Sequence, residues 1–591
     1  MATPDLATTR RRFVAYFSTI GLGSTLLPGV LWAKMQEQKA SSITDAMLVD
    51  ALAVAGLQFT AEEREQMLQG ANQNLERYEE IRAVHIDPNI APPMYYSPIV
   101  PGTKLDRTSR PFRLSPTPVV RRPANLEEAA FYPISHLASL LKSRQVTSLE
   151  LTNMYLGRLK RYNEKLNCVV TLTEELARQQ ARTADAEIAA GKYRGLLHGI
   201  PWGCKDIISV PGYPTQWGSD AFKGQELDTE ATVVRLLREA GAVLIAKLAT
   251  GELAAGDQWF GGRTNNPWDP SEGSSGSSAG PASATAAGCV AFGIGTETSG
   301  SILSPSTICG VTGLRPTFGR VSRFGAMTLS WTQDRLGPLC RTAEDCAIVF
   351  YAIARPDEQD LSVIDLPFNW DATLDIHRLK VGYLAAGFTE TPRAEDWRKN
   401  DQDVLDTLKT LGITPEPFEL PKMPLNVFGG ILGAESGASF DESLRSGRLK
   451  NMTNKGRGNG FRGSRLTPAV EYLQAQRVRA MVMRQFADTV SRFDVYVAPY
   501  LNMRAAGGGG GRGAGGGPPA TPPPPSAIRD HFQVANLCGY PAVSVHNGFT
   551  GDRKPTSITF LGRLYNEAAI LALAKAFQDK AGLTAQHPKL D

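Results

Sequence analysis

The chain has 591 residues, 42% hydrophobic and 21% charged, the balance of a globular protein with a sizeable core. Its 63 basic and 59 acidic residues leave a net charge of +4 with no long run of one sign, which argues against a nucleic-acid partner. Seven cysteines (Cys168, Cys204, Cys289, Cys309, Cys340, Cys346 and Cys538) form neither a CxxC pair nor a Cys/His cluster. They read as mostly buried thiols, with no structural zinc and no disulfide framework.

In chain order, residues 1–40 resemble a twin-arginine-type export signal. Thr9-Arg10-Arg11-Arg12-Phe13-Val14 precedes a moderately apolar segment, Ala15 to Ala33. Gly21, Gly23, Pro28 and Gly29 interrupt that segment, so a plain membrane anchor is the weaker reading, and no other stretch could span a bilayer. The expected location is periplasmic or otherwise exported, with no stable membrane span after signal removal. Residues 41–125 form a helical, then Pro-rich, extension. Thr60-Ala61-Glu62-Glu63 has capping-box spacing, Glu62 to Ala83 is rich in helix formers, and Pro88 to Pro118 suggests an extended arm on the main body.

The main domain is expected over 126–591. Thr147-Ser148-Leu149-Glu150 offers a second capping box. Leu151, Met154, Tyr155 and Leu159 recur at helical spacing, with Asn153, Arg158 and Lys160 between them. A helix over Glu174 to Ala190 follows, then an apolar run from Leu196 to Ile207. Lys205 stands out among Ile200, Trp202, Ile207 and Ile208, because a lysine there needs a partner or must be neutral, and a neutral lysine is a usable base. Thr229 to Ala240 reads as a helix and Ala242 to Leu248 as a buried strand. Further strands are expected at Leu379 to Leu384, Asp494 to Tyr500, Ala542 to Phe549 and Ile558 to Leu561, before a last helix stopped by Gly582. The Gly/Pro-rich stretch 505–525 reads as an inserted surface loop. The alternation of helix and strand argues a sheet covered by helices on both faces.

Gly273 to Pro305 organises the rest. Two Ser/Gly clusters flank a small-residue segment and an apolar run, Gly288 to Gly295, that reads as a buried strand and excludes a flexible linker. After that strand, the N–H groups of Thr298, Ser299, Gly300 and Ser301 could stabilise the oxygen of a tetrahedral intermediate. A serine needs a base to attack. No histidine lies near these clusters in sequence, so Lys205 acting through a bridging serine is the economical proposal.

These residues resemble the amidase signature family. Gly199-Ile200-Pro201-Trp202-Gly203-Cys204-Lys205-Asp206 stands where that family has G-I-P-x-x-x-K-D, and Gly276-Ser277-Ser278 occupies its serine motif 24 residues before Ser301. Asn266 to Asp269, Gly313 to Thr317, Gly319 to Ser322, Asp334 to Pro338 and Asn536 to Ala542 agree as well, over about Leu126 to Ala581. The resemblance implies an α/β fold with a mixed central sheet covered by helices on both faces, carrying here an N-terminal helical extension. It also implies a Ser-cis-Ser-Lys triad: Ser301 as nucleophile, Ser277 as bridging serine on a cis peptide, Lys205 as base and Ser278 in support. The oxyanion hole would be the backbone of Thr298, Ser299 and Gly300. A small-molecule amide would be hydrolysed through an acyl-enzyme, with no cofactor and no metal. Four positions depart from the pattern, with Ser299, Ser275 and Ala279 standing for glycines and Glu297 for an aspartate.

Other readings remain open. Gly276-Ser277-Ser278-Ala279-Gly280 matches G-x-S-x-G, which would make Ser278 the nucleophile of an α/β-hydrolase, but Pro270 to Ser275 does not read as the strand this motif requires. A non-catalytic exported binding protein with a decayed site is a second alternative. The tRNA-dependent amidotransferases, whose amidase component shares the motifs, are disfavoured by the export signal. Trp259, Phe260 and Trp331 are candidates for an apolar or aromatic acyl pocket, although aromatic residues near a motif are more often core. A homo-oligomer is compatible with the sequence.

Overall fold

The computed structural model describes residues 43–68, 71–72, 94–116, 118–501 and 525–590. The export segment at 1–40, most of the helix expected from Glu62 to Ala83, and all but Pro525 of the 505–525 insertion lie outside them. The chain divides into two compact units, 1–90 with 466–470, and 91–465 with 471–591. In the first, the helix Asp45–Val54 is capped by Thr44, whose side chain accepts from Met47 N–H. A second helical stretch, 61–68, starts on a reciprocal capping box: Thr60 N–H donates to Glu63 Oε2 at 2.7 Å and Glu63 N–H to Thr60 Oγ1 at 3.3 Å.

The second unit is built on β1 (Val169–Leu172), β2 (Pro201–Lys205), β3 (Val243–Leu248), β4 (Gln258–Trp259), β5 (Gly262–Arg263), β6 (Asn265–Asn266), β7 (Asp269–Gly273), β8 (Phe292–Glu297), β9 (Thr312–Arg315), β10 (Arg335–Cys340), β11 (Val381–Leu384), β12 (Glu416–Phe418), β13 (Val495–Pro499), β14 (Ala542–Phe549) and β15 (Pro555–Gly562). Eleven of these described strands form one sheet in the order β1-β3-β2-β8-β10-β9-β14-β15-β13-β11-β12, while β4-β5 and β6-β7 are separate two-stranded pairs. The large sheet is mixed. β2 runs parallel to β3 and β8, and β11 to β12 and β13, whereas β8, β10, β9, β14, β15 and β13 pair antiparallel in turn.

Successive residues point to opposite faces, and each face buries its own core. Val495 and Val497 of β13 join the cluster containing Leu151, Tyr155, Phe350 and Ile570, while Tyr496 and Ala498 join that containing Phe428, Phe486, Val534 and Leu537. Helices therefore cover both faces, as the alternation of elements implies. All seven cysteines are buried thiols.

The amphipathic helix Ser148–Leu166 starts on the expected capping box, with Thr147 N–H on Glu150 Oε2 and Glu150 N–H on Thr147 Oγ1. One of its residues corrects the sequence reading. Arg158 is buried, because its guanidinium donates to the carbonyls of Gly288 (2.8 Å) and Ala287 (2.9 Å) and to Glu127 (3.0 Å), which replace water as partners. The stretch read as lacking a strand, Pro270 to Ser275, contains most of β7. That strand pairs with β6 outside the main sheet and ends at Gly273. The Pro-rich arm carries no helix over 94–116 and turns at 101–102; there Arg113 N–H donates to Trp370 O, the Arg113 carbonyl accepts from Ala372 N–H, and Tyr96 OH donates to Leu537 O.

Candidate active site

β2 and β8 are adjacent parallel strands, and the site forms where they end, the edge at which an α/β sheet commonly binds ligands. Lys205 is the last residue of β2 and Thr296 lies near the end of β8. The helix Ala279–Ala286 packs against β8 closely enough to bring Ser277 and Ser278 to the same place. Glycines make that approach feasible: a Cβ on Gly295 would stand 2.5 Å from Ser278 Oγ, and one on Gly293 would stand 2.9 Å from Pro281 Cβ.

Lys205 is fully buried, with Nζ 2.7 Å from Ser277 Oγ and 2.8 Å from Thr296 Oγ1. Burial pushes its pKa down to about 7; Asp334 and Glu297 oppose the shift and Arg457 adds to it. The lysine is therefore poised to lose its proton near neutrality. The Gly276–Ser277 peptide is cis. Ser278 is fully buried, and its hydroxyl donates to the Thr296 carbonyl and accepts from Thr296 N–H, both at 3.1 Å. Its own N–H donates to the Ser301 carbonyl at 3.1 Å, which ties the serine cluster to the loop after β8.

That loop runs from Thr298 to Ile302, with Gly300 at φ +90°, a conformation that favours glycine. Among the described residues, the N–H groups of Thr298, Ser299, Gly300 and Ser301 donate to no protein acceptor, and the half-buried Ser301 hydroxyl has no hydrogen-bond partner. Glu297 explains how the loop is held. Its Oε2 accepts from Ile302 N–H at 2.8 Å and Leu303 N–H at 3.0 Å, and its Oε1 accepts from Arg315 at 3.1 Å. A glutamate in place of the usual aspartate thus caps the turn beyond Ser301 and leaves the preceding N–H groups free. Because Arg315 and Glu297 are 1% and 0% exposed, Glu297→Ala is expected to leave a buried charge unpaired and to destabilise the fold by about 3–5 kcal/mol. Urea denaturation measures this, and a loss below about 1 kcal/mol would contradict the capping role.

Asp334 holds the other end of the loop. Its Oδ1 accepts from Thr298 Oγ1 at 2.6 Å, and its Oδ2 from Leu329 N–H (2.7 Å) and Ser330 N–H (2.9 Å). Burial raises its pKa despite these bonds. Gly276 is constrained from a third direction, since a Cβ there would lie 1.9 Å from the Gly256 carbonyl oxygen. Gly276→Ala is expected to displace Ser277 and lower turnover at this site about a hundredfold, assayed on protein whose circular dichroism shows it folded. Unchanged kinetics would mean the backbone adapts without moving the serine.

The aromatic candidates separate. Trp331 is half-buried in the 329–334 segment that Asp334 ties to Thr298. Trp259 and Phe260 pack edge to face at 4.9 Å, and Lys223 lies 5.2 Å over the Phe260 ring. Among the described residues neither ring makes a hydrogen bond, ring stacking or cation contact with Lys205, Ser277 or Ser301. Sequence reasoning missed Thr296 as a partner of Lys205 and Asp334 as the anchor of Thr298. Asp334 sits in one of the matching motifs, but nothing local indicates what it touches.

Fold and site together define an amide hydrolase. The family model described as Amidase matches residues 150–571, and the chain belongs to that family. It is 32% identical over 494 residues to the A subunit of the glutamyl-tRNA(Gln) amidotransferase of Geobacillus thermodenitrificans, covering 78% of this chain and 99% of the relative. Among solved structures it is similar to the peptide amidase of Stenotrophomonas maltophilia, with TM-score 0.67 and 26% identity over 79% of this chain and 100% of the other. A 6-aminohexanoate cyclic dimer hydrolase shares the fold at TM-score 0.66 and 19% identity, over 78% of this chain and 99% of the other.

Proposed function

We propose that this chain is an exported amidase that cleaves the C–N bond of a small-molecule amide through an acyl-enzyme on Ser301. The observation that carries the reading is Lys205, fully buried, with a pKa lowered to about 7 and Nζ 2.7 Å from Ser277 Oγ. Neutral Lys205 takes the proton of Ser277, which takes that of Ser301 as Ser301 Oγ attacks the carbonyl carbon. The oxygen, now negative, sits against the N–H groups of Thr298, Ser299 and Gly300. Collapse breaks the C–N bond, and the proton held by Lys205 passes back through Ser277 to the leaving nitrogen. Water then attacks the ester by the same route, releasing a carboxylate and regenerating Ser301.

The α/β-hydrolase reading places the attack on Ser278. Against it stand the complete burial of that serine, the engagement of its hydroxyl by both backbone groups of Thr296, and a preceding strand outside the main sheet. Export rests on Arg10 to Arg12 and the apolar segment after them. The same feature separates this chain from the amidotransferase role that its relatives' name suggests. A non-catalytic binding protein is disfavoured by the joined Lys205–Ser277 pair. The test is turnover of a panel of aryl and alkyl amides, esters and glutamine by the purified chain. Turnover of small amides supports the reading, release of ammonia from glutamine alone favours the amidotransferase role, and no turnover favours a binding protein. Export is checked by Arg10→Lys, Arg11→Lys and Arg12→Lys made together, expected to retain the protein inside the cell.

A further inference from the structure

A second buried carboxylate is wired to the same loop from a greater distance. Glu435, 4% exposed, belongs to the helix Val427–Ser439. Its Oε2 accepts from Ser330 Oγ at 2.6 Å and Thr332 N–H at 3.1 Å, and its Oε1 from Thr332 Oγ1 and Tyr472 OH at 2.8 Å each and Gln476 at 3.3 Å. Arg479 completes the clamp, donating to Thr332 Oγ1 (2.7 Å), Thr332 O (2.9 Å) and Leu537 O (2.8 Å), with its guanidinium 3.5 Å from the centre of the Tyr96 ring. Tyr472, Gln476 and Arg479 lie on one helix, Ala469–Val490. The clamp therefore joins two helices to the 329–334 segment.

Ser330 is where this clamp meets the catalytic loop. Its hydroxyl donates to Glu435 and its N–H donates to Asp334, whose other oxygen takes the Thr298 hydroxyl. Thr298 begins the run of free N–H groups. We propose that Glu435 is a positioning residue of the acyl-transfer site: by fixing Ser330 and Thr332 it fixes Asp334, and through Asp334 it sets the Thr298 end of the oxyanion loop. This rests on the acyl-transfer reading above. Five donors converge on a buried carboxylate that touches none of Lys205, Ser277 or Ser301. Removing it strands those donors and frees the segment that carries Trp331. Preorganised donors lose their effect when displaced by a fraction of an ångström, so the consequence falls on the chemical step.

The test compares wild type with Glu435→Gln, Glu435→Ala and Tyr472→Phe by steady-state kinetics per active site and by hydrogen exchange read on peptides covering 296–303, 329–334 and, as reference, 542–549. Glu435→Gln keeps the volume but turns an N–H₂ group toward donors; it is expected to lower kcat about tenfold to a hundredfold with KM within about threefold of wild type. Exchange should rise in both 329–334 and 296–303 and stay unchanged in 542–549. Tyr472→Phe removes one donor of five and should fall between wild type and Glu435→Gln on both readouts. Should Glu435→Ala fail to fold, Glu435→Gln carries the test alone. The proposal is overturned if exchange rises in 329–334 only and kcat stays within about twofold of wild type. It is overturned equally if exchange rises everywhere and kcat falls only in proportion to the folded fraction. If wild type hydrolyses no amide, the acyl-transfer reading fails; exchange at 296–303 in Glu435→Gln then still reads the mechanical link, and its absence refutes that as well.

Discussion

Ser301→Ala is expected to lower amide hydrolysis by about 10⁴- to 10⁶-fold while leaving the fold intact, the scale on which removing the nucleophile of a serine hydrolase acts. The fold should survive because the Ser301 hydroxyl makes no hydrogen bond among the described residues and the side chain is half-buried. Its removal therefore strands no partner. What anchors position 301 is its carbonyl, which accepts from Ser278 N–H and does not depend on the side chain. Ser278→Ala gives the contrasting outcome. It loses the two bonds to the Thr296 backbone and leaves buried groups unpaired, so stability falls by about 1–3 kcal/mol while a nucleophile remains in place. A Ser278→Ala protein that is folded but inert, beside an active Ser301→Ala, would transfer the attack to Ser278.

Lys205→Met is the second large effect. Methionine fills a similar volume and carries no proton to exchange, so the rate should fall by about 10³-fold or more. Thermal stability should change little, since removing a buried amine that is costly to charge offsets the Ser277 and Thr296 hydroxyls left without their donor. The pH profile carries the same information in wild type. With the pKa lowered to about 7, the neutral amine predominates above that pH, and kcat/KM should climb about tenfold per unit below it and level off above. Linkage has a definite sign. Between about 7 and the ordinary lysine value of 10.5 the unfolded chain holds a proton that the folded chain has released, so this residue makes stability rise with pH across that window. Lys205→Met should remove that rise. A flat kcat/KM between pH 6 and 8, measured with a substrate whose chemical step limits the rate, would contradict a basic role for Lys205.

Where contacts are local, the sequence is a good guide. The capping boxes at Thr147 and Thr60 lie within four residues and formed as spaced. β14 spans Ala542–Phe549 as its apolar run implies, and Gly582 ends the last helix in the left-handed conformation. Lys205 is legible because an isolated lysine in an apolar run is chemically conspicuous. Its partner Thr296 lies 91 residues away and looks like any threonine. Arg158 misled for a related reason: helical spacing placed it off the apolar face, yet carbonyls about 130 residues onward draw it inside. β7 was invisible because Asp-Pro-Ser-Glu-Gly has little strand propensity, and only its pairing with β6 makes it extended. Glu435 belongs to the same class, its donors drawn from Ser330, Thr332, Tyr472 and Gln476. Departures from a family pattern are legible as departures; only the structure reveals that Glu297 reaches Ile302, Leu303 and Arg315.

The most direct measurement is the position of the covalent intermediate. Trypsin leaves residues 264–320 as one peptide containing both Ser278 and Ser301, because the Arg315–Pro316 bond resists it, while cleavage after Glu297 separates them. The chain would be mixed with an activated aryl ester, quenched in acid within the burst, cleaved after glutamate and read by mass spectrometry. The account predicts the acyl mass on the peptide beginning at Thr298, localised to Ser301 and absent from Ser301→Ala. An acyl group on Ser278 instead, or one that persists in Ser301→Ala, would contradict it.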